Sequence, residues 1–244
     1  MAVYTVRKHA ESYGHAVGVI LVDVRTPFIP GDVGNASTYP FPVVYRTAHE
    51  VNLDRLINQG DKSLTPSVIA VARELENLGV RAVTSDCGYM LHFQKEVAAA
   101  LSVPVILSSL LQLPLLESAV GDSKIGIICA NKQRLVPELL DLAGMRDKSR
   151  AVIYGLEHCP AFRSPILDEE PLLDDVKIEK EVTDTARAML ADHPDVGAVL
   201  LECSNLPPYA HAVQRAVHRP VFDFTTMINL FQAAAFRKPF SGFY

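Results

Sequence analysis

Short runs rich in valine, isoleucine and leucine recur along the chain. Longer stretches separate them, in which apolar residues return every three or four positions. The runs predict β-strands over residues 16–23, 82–86, 105–108, 124–130, 151–156, 198–202 and 221–224. The stretches between predict helices, among them 65–78, 91–101, 132–142, 176–191 and 209–217. Strand then helix, repeated, is the pattern of parallel sheets covered by helices, because a parallel strand buried on both faces is apolar throughout. The expected fold class is α/β.

Two of the runs repeat each other. Arg81-Ala-Val-Thr-Ser-Asp-Cys87-Gly-Tyr-Met90 aligns with Gly197-Ala-Val-Leu-Leu-Glu-Cys203-Ser-Asn-Leu206, 116 positions later. At the same offset Phe93 falls on Tyr209, Val97 on Val213, and Pro104-Val105 on Pro220-Val221. The repeat predicts two similar parallel-sheet halves related by pseudo-two-fold symmetry, with the active site between them. The expected division is 1–108 plus 222–244 for one half and 109–221 for the other. The C-terminal return follows from 220–224 being the repeat partner of 104–108.

The irregular stretch 25–46 holds Pro27, Pro30, Pro40 and Pro42 and follows the first strand directly. Ligands of open α/β sheets bind beyond the carboxyl ends of strands, so this loop is either a cover for the site or a rigid surface loop. No glycine-rich phosphate loop follows any strand, which removes support for dinucleotide or ATP binding.

Composition narrows the class. Of 244 residues, 49% are apolar, enough for a substantial core, and a net charge of −5 with mixed signs leaves no basic stripe for nucleic acid. No apolar run approaches membrane-spanning length, and the first ten residues lack the apolar stretch of a signal peptide. Four cysteines without CxxC or CxxH spacing argue against a disulfide scaffold or a structural zinc. The expectation is a cytoplasmic protein with reduced thiols, no bound metal and no membrane or nucleic-acid partner.

The matched cysteines, Cys87 and Cys203, are the candidate catalytic pair. Each closes a strand and precedes a helix, whose N-terminus is expected to lower the thiol pKa. Alternation along a strand sends the neighbouring acids, Asp86 and Glu202, to the opposite face, where they are expected to cap the following helix. The competing reading is that both cysteines are small packing residues. Cys129 lies inside an apolar strand and is read as packing. Cys159, though next to His158, is not read as half of a nucleophile–base couple.

Other residues surround the pair. Ser108 and Ser109 end the third strand, with Thr225 and Thr226 at the matched place. These hydroxyls, and Asn131, suit either a substrate carboxylate or ordinary helix capping. Ser204 and Asn205 follow the second cysteine. Tyr89 and Tyr209, with Tyr39, Phe41 and Tyr45 of the long loop, form either a cage for a cation or a set of packing residues with polar tips. His92 and His211 are expected on exposed helix faces.

Two α/β halves, each ending a strand in cysteine, resemble the aspartate/glutamate racemase superfamily over nearly the whole chain. The flanks differ from its amino-acid racemases, which show Cys-Asn-Thr and Gly-Cys-Thr where this chain has Asp86-Cys-Gly-Tyr89 and Glu202-Cys-Ser-Asn205. They are similar instead to the algal Alma-type dimethylsulfoniopropionate lyases. The stretches that carry this are Asp86-Cys-Gly-Tyr-Met90 with Phe93-Gln94, Ser108-Ser-Leu-Leu-Gln-Leu-Pro114, Ala130-Asn131, Glu202-Cys-Ser-Asn-Leu-Pro-Pro-Tyr209, Pro220-Val-Phe-Asp223 and Pro30-Gly-Asp32. The resemblance implies a cofactor-independent homo-oligomer acting on a small carboxylate. It places Cys87 and Cys203 as acid and base at the carbon next to the carboxylate. Asp32, Tyr39, Tyr89, Ser108, Ser109, Asn131, Ser204, Asn205 and Tyr209 are the candidate substrate contacts. The implied reaction is elimination to dimethyl sulfide and acrylate. Amino-acid racemisation is the alternative, and a non-catalytic binding module or a redox-active thiol pair are the alternatives of other classes.

Overall fold

The computed structural model describes residues 3–6, 8 and 10–243; Met1, Ala2, Arg7, His9 and Tyr244 lie outside the described residues. The described strands form two four-stranded sheets with the same order. In the first, β1 (Val17–Val22) lies between β2 (Val43–Ala48) and β3 (Ala82–Ser85), and β4 (Val105–Ile106) lies beyond β3. In the second, β5 (Lys124–Cys129) lies between β6 (Ala151–Gly155) and β7 (Val196–Leu201), and β8 (Val221–Phe222) lies beyond β7. Every pairing is parallel. The sheets are covered by helices, as an α/β chain with apolar strands requires.

Both central strands admit a helix through a glycine. In α1 (Thr65–Asn77), Pro66 occupies the first turn, and Val68, Ala72 and Leu75 face inward at helical spacing. Leu75 seats on Gly18 of β1, where a Cβ would stand 3.0 Å from the Leu75 Cβ. In α6 (Asp175–Asp192), Met189 seats on Gly126 of β5, where a Cβ would stand 2.5 Å from the methionine methyl.

The halves exchange helices. After β4 the chain forms α3 (Leu113–Ala119), which packs against β5, and Glu117 accepts the N–H groups of Arg146 and Asp147 at 2.9 Å each. After β8 it forms α8 (Phe224–Ala235), opened by a capping box between Asp223 and Thr226. Phe224, Met227 and Ile228 of α8 pack with Val17, Val19 and Ile106 of the first sheet.

Several elements differ from the sequence expectation. The irregular stretch ends at Pro42, not residue 46, because residues 43–48 pair with β1 as an edge strand. The prolines just before it mask that strand, and its half-buried side chains blur the apolar run. The strands expected over 105–108 and 221–224 pair only at their first two residues. The helix expected over 91–101 opens with a 3₁₀ turn, Gly88–Phe93, before α2 (Gln94–Ala100). The one expected over 132–142 is reduced to α4 (Pro137–Leu142), since Pro137 can start a helix but biases Val136 to extended backbone. The helix expected from 209 is α7 (Ala210–Val217), and α5 (Pro160–Ile166) adds a short helix after β6.

Candidate active site

β1 has β2 on one side and β3 on the other, so strand order reverses at the carboxyl ends of β1 and β3. It reverses likewise at β5 and β7. These two switch points face one pocket. Its lining is Val22, Val24, Thr26, Phe28, Leu53, Ile57, Asp86, Cys87, Gly88, Tyr89, Ala130, Ile166, Leu167, Glu202, Cys203, Ser204 and Asn205. Both matched cysteines therefore open into the same space, one from each half.

The two cysteine turns are built alike. The Met90 N–H donates to the Cys87 carbonyl and the Leu206 N–H to the Cys203 carbonyl, each at 3.1 Å. That closure leaves the intervening N–H groups, Gly88 with Tyr89 and Ser204 with Asn205, without a carbonyl partner in the turn. The expected lowering of the thiol pKa is not the net effect. Burial pushes both thiols well above the ordinary value, Glu202 adds to that push on each, and nearby N–H groups of the turns pull back only in part. Desolvation outweighs a short turn's dipole here.

The acids also depart from expectation. Asp86 and Glu202 lie one residue past the ends of β3 and β7, where strict alternation no longer applies, and both line the pocket with the thiols. Asp86 Oδ1 accepts the Val22 N–H at 2.8 Å rather than capping the helix that follows. Glu202 crosses to the other half and lies on Gly88, where a Cβ would stand 1.8 Å from its Oε1. Only glycine fits there. Burial raises each carboxyl to about 8, the Asp86 one against the pull of the Val22 amide and the Glu202 one against that of the Ala130 amide.

Cys203 is held from behind. Its thiol donates to Asn205 Oδ1 at 3.4 Å, and Asn205 Nδ2 donates to Asp32 Oδ2 at 2.6 Å. Asp32 Oδ1 accepts the Gly34 N–H at 2.8 Å, and burial raises its carboxyl to about 7. Asp32 is thus not in the pocket lining; it reaches the site through Asn205. Ser204 lines the pocket while its hydroxyl donates to the Asp86 carbonyl, joining the two cysteine turns across the halves.

The remaining candidates divide. Tyr89 lines the pocket, and its hydroxyl donates to the Asn131 carbonyl at 2.9 Å. Asn131 itself is outside the lining, its Oδ1 accepting the Gln133 N–H at 3.0 Å as a turn cap. Ser108 is buried and caps the next turn through the Leu110 N–H at 3.3 Å. Ser109 is buried and donates to the Leu201 and Glu202 carbonyls at 3.2 and 3.1 Å, tying β4 to the end of β7. Tyr39 packs under the long loop and donates to the Val33 carbonyl at 3.1 Å, and Tyr209 lies in the core of the second half. No cage of the named tyrosines forms, since Tyr89 alone among them reaches the pocket. Cys129 is buried in β5 with its thiol 3.6 Å from the Tyr154 carbonyl. Cys159 precedes α5 without a side-chain capping bond, and His92 is half-buried rather than on an exposed face.

The long loop does cover the site. Its Thr26 and Phe28 line the pocket, beside Val24 just before the loop. The Arg25 N–H donates to Glu169 at 2.8 Å, the Thr26 hydroxyl to the Pro165 carbonyl at 2.9 Å, and the Val33 N–H to the Ser204 carbonyl at 3.3 Å, so the loop bridges to the second half. Sequence reading missed the apolar wall opposite. Leu53 and Ile57 come from a π-helical turn, Asp54–Asn58, and Ile166 and Leu167 from the end of α5. Asp86 and Glu202 were signalled only by an acid preceding each repeated cysteine.

No family model matches the chain. The chain is 33% identical over 235 residues to a dimethylsulfoniopropionate lyase of Durusdinium sp. clade D, covering 92% of this chain and 74% of that protein. It is 31% identical over 241 residues to dimethylsulfoniopropionate lyase 5 of Emiliania huxleyi (strain CCMP1516), covering 93% of this chain and 47% of that protein. Lyase 6 of the same alga is also 31% identical, over 236 residues, 93% of this chain and 61% of that protein. Among solved structures, allantoin racemase from Pseudomonas fluorescens superposes with a TM-score of 0.63 at 14% identity, covering 89% of each chain. Arylmalonate decarboxylase superposes at 0.57 and 15% identity, covering 90% of this chain and 92% of its own. An aspartate racemase homologue from Pyrococcus horikoshii OT3 does so at 0.55 and 14% identity, covering 90% and 98%. These three share the two-sheet fold.

Proposed function

The chain belongs to the dimethylsulfoniopropionate lyase family, and from that premise we propose that it cleaves dimethylsulfoniopropionate, or a close β-sulfonium carboxylate, to dimethyl sulfide and acrylate. The observation that supports the reading best is the pair of thiols, Cys87 and Cys203, opening from matched turns into one pocket. In this reading one of them, as thiolate, removes a proton from the carbon next to the carboxylate. The released electron pair becomes the new carbon–carbon double bond. The carbon–sulfur bond breaks, and its electrons leave on neutral dimethyl sulfide. The proton stays on the thiol and is then lost to solvent. The second thiol keeps the same space filled from the opposite half and serves as the acid for any carbanion that returns to substrate.

The substrate carboxylate, and the enolate charge that grows on it, would meet the N–H groups of Gly88 and Ser204, while those of Tyr89 and Asn205 face the two thiols. Two short turns then stabilise a charge that develops only as the proton leaves. The apolar wall of Val22, Val24, Phe28, Leu53, Ile57, Ile166 and Leu167 would keep water from that charge. A base and a held carbanion suffice for this elimination, so no cofactor enters it.

The test is incubation with dimethylsulfoniopropionate, with headspace gas chromatography for dimethyl sulfide. In parallel, exchange of solvent deuterium into the α-carbon is followed by NMR. Release of dimethyl sulfide is the expected result. Exchange or racemisation of amino acids without it would move the protein to the racemase reaction, and the absence of both signals would overturn the enzymatic reading.

A further inference from the structure

Asp86 Oδ2 and both Glu202 carboxylate oxygens are buried without a hydrogen bond of full geometry, the Ala130 amide pulling on Glu202 less than burial pushes. Their residues are 6% and 0% exposed, and both line the pocket. A buried carboxylate left unpaired is costly, and an orphan of this kind points to a group that arrives from outside. Among the described residues, the lining holds no lysine, arginine or histidine that could be that group.

Building on the lyase reading, we propose that Asp86 and Glu202 form a cation site that receives the sulfonium group of the substrate and selects cationic over uncharged β-substituents. The site's carboxylates come one from each half, adjacent to the two thiols. Phe28 and Tyr89, also in the lining, supply ring surface that a methylated cation tolerates. The groups that feel the charge of Glu202 are the thiols of Cys87, Cys129 and Cys203 and the phenol of Tyr89. Those that feel Asp86 are the Cys87 thiol and the phenols of Tyr39 and Tyr45, and Asp86 in turn feels Asp32. Every one of these is neutral or negative, and among the described residues no cation shifts either carboxyl, Lys132 acting on Cys129 instead.

Chemistry follows from that charge. In the empty pocket burial holds both acids protonated near neutrality and holds the thiols protonated well above it. An incoming cation favours ionisation of whichever group it pairs with, and it offsets the negative potential that opposes a thiolate. An uncharged analogue offers neither effect. Binding of a cation therefore expels a proton from the carboxyl it pairs with, and its charge offsets the new carboxylate's, which would otherwise oppose thiolate formation next to it.

The probe is trimethylsulfonium chloride, a sulfonium that carries no carboxylate and undergoes no elimination. Its binding is measured by titration calorimetry on the full chain, in buffers of different ionisation enthalpy, alongside 4-methylpentanoate, the uncharged carbon isostere of dimethylsulfoniopropionate. Trimethylsulfonium should bind the unaltered protein near pH 7 with release of about one proton. Its affinity should fall about tenfold or more in Glu202→Gln and in Asp86→Asn, with 4-methylpentanoate affinity unchanged. Unchanged trimethylsulfonium affinity in both variants, or binding to the unaltered protein without proton release, overturns the cation site. The proton count needs no variant, so it decides the matter even if a substitution impairs folding. Dimethyl sulfide release by the same preparation is a separate readout. Its absence with cation binding intact sinks the lyase reading alone, and dimethyl sulfide release without cation binding sinks the cation site alone.

Discussion

Asn205 joins Asp32 to Cys203: its Nδ2 donates to Asp32 Oδ2 at 2.6 Å while its Oδ1 accepts the Cys203 thiol at 3.4 Å. The amide fixes where the sulfur points without being the reacting group. Asn205→Ala should lower kcat about 10- to 100-fold, the range expected when a reacting atom loses its orientation, with KM nearly unchanged. Asp32→Asn keeps an acceptor for the amide and should cost less. Steady-state dimethyl sulfide release checks both. A raised KM at constant kcat would instead make Asn205 a substrate contact.

The two thiols should be separable by substitution. Cys87→Ser and Cys203→Ser should each lower kcat/KM by about 10²- to 10⁴-fold, the usual worth of a positioned acid or base. The variant lacking the base should also lose α-deuterium exchange, while the variant lacking the other thiol retains some. Equal retention of exchange in both would remove the thiols from the proton-transfer step.

Gly88 is required by Glu202. A Cβ at Gly88 would stand 1.8 Å from Glu202 Oε1 and 2.8 Å from its carbonyl oxygen, so Gly88→Ala forces the carboxylate and its turn to shift. The expected loss of stability is about 1–3 kcal/mol, typical of overpacking, read as a lower urea midpoint. In a Glu202→Ala background the side-chain clash is gone, and the same substitution should cost less. Additive costs would show that the clash is with the backbone alone.

Stability should fall with rising pH. Asp86 and Glu202 stand at about 8 and Asp32 at about 7, all raised by burial. An unfolded chain ionises such groups near pH 4, so between about pH 4 and 8 the folded protein holds more protons than the unfolded one. Their contribution is therefore full below that window and lost as pH rises through it. The thermal midpoint should be lower at about pH 9 than at about pH 6, and Glu202→Gln should flatten the decline. A midpoint that rises over that interval, or an unchanged slope in the variant, would show that these carboxyls ionise normally in the folded protein.

Much of this architecture is legible in one dimension. The apolar runs mark seven of the eight described strands, with β4 and β8 shorter than expected, because parallel strands buried on both faces leave a period-free signal. The 116-residue repeat marks β3 with β7 and β4 with β8, and it brings Cys87 and Cys203 to equivalent places. β2 escapes notice because an edge strand is half-exposed and here follows prolines. Gly18 and Gly126 carry no visible message, although each exists to admit a helix side chain.

The sequence by itself determined the fold class, the duplication and the two thiols, since strand periodicity and a repeated motif are local properties of the chain. Only the tertiary structure decided what surrounds those thiols. Asp86 and Glu202 turn inward because they lie just past their strands, where pleat alternation has ended. Ser108 and Ser109 turn to capping and bridging because the short strands release them early. Asp32, more than fifty residues before the first cysteine, reaches Cys203 through Asn205 because a loop of the first half lies across the second. The thiol pKa values rise rather than fall for the same reason: desolvation and opposing charge are set by everything packed around a group, and no stretch of sequence contains that sum.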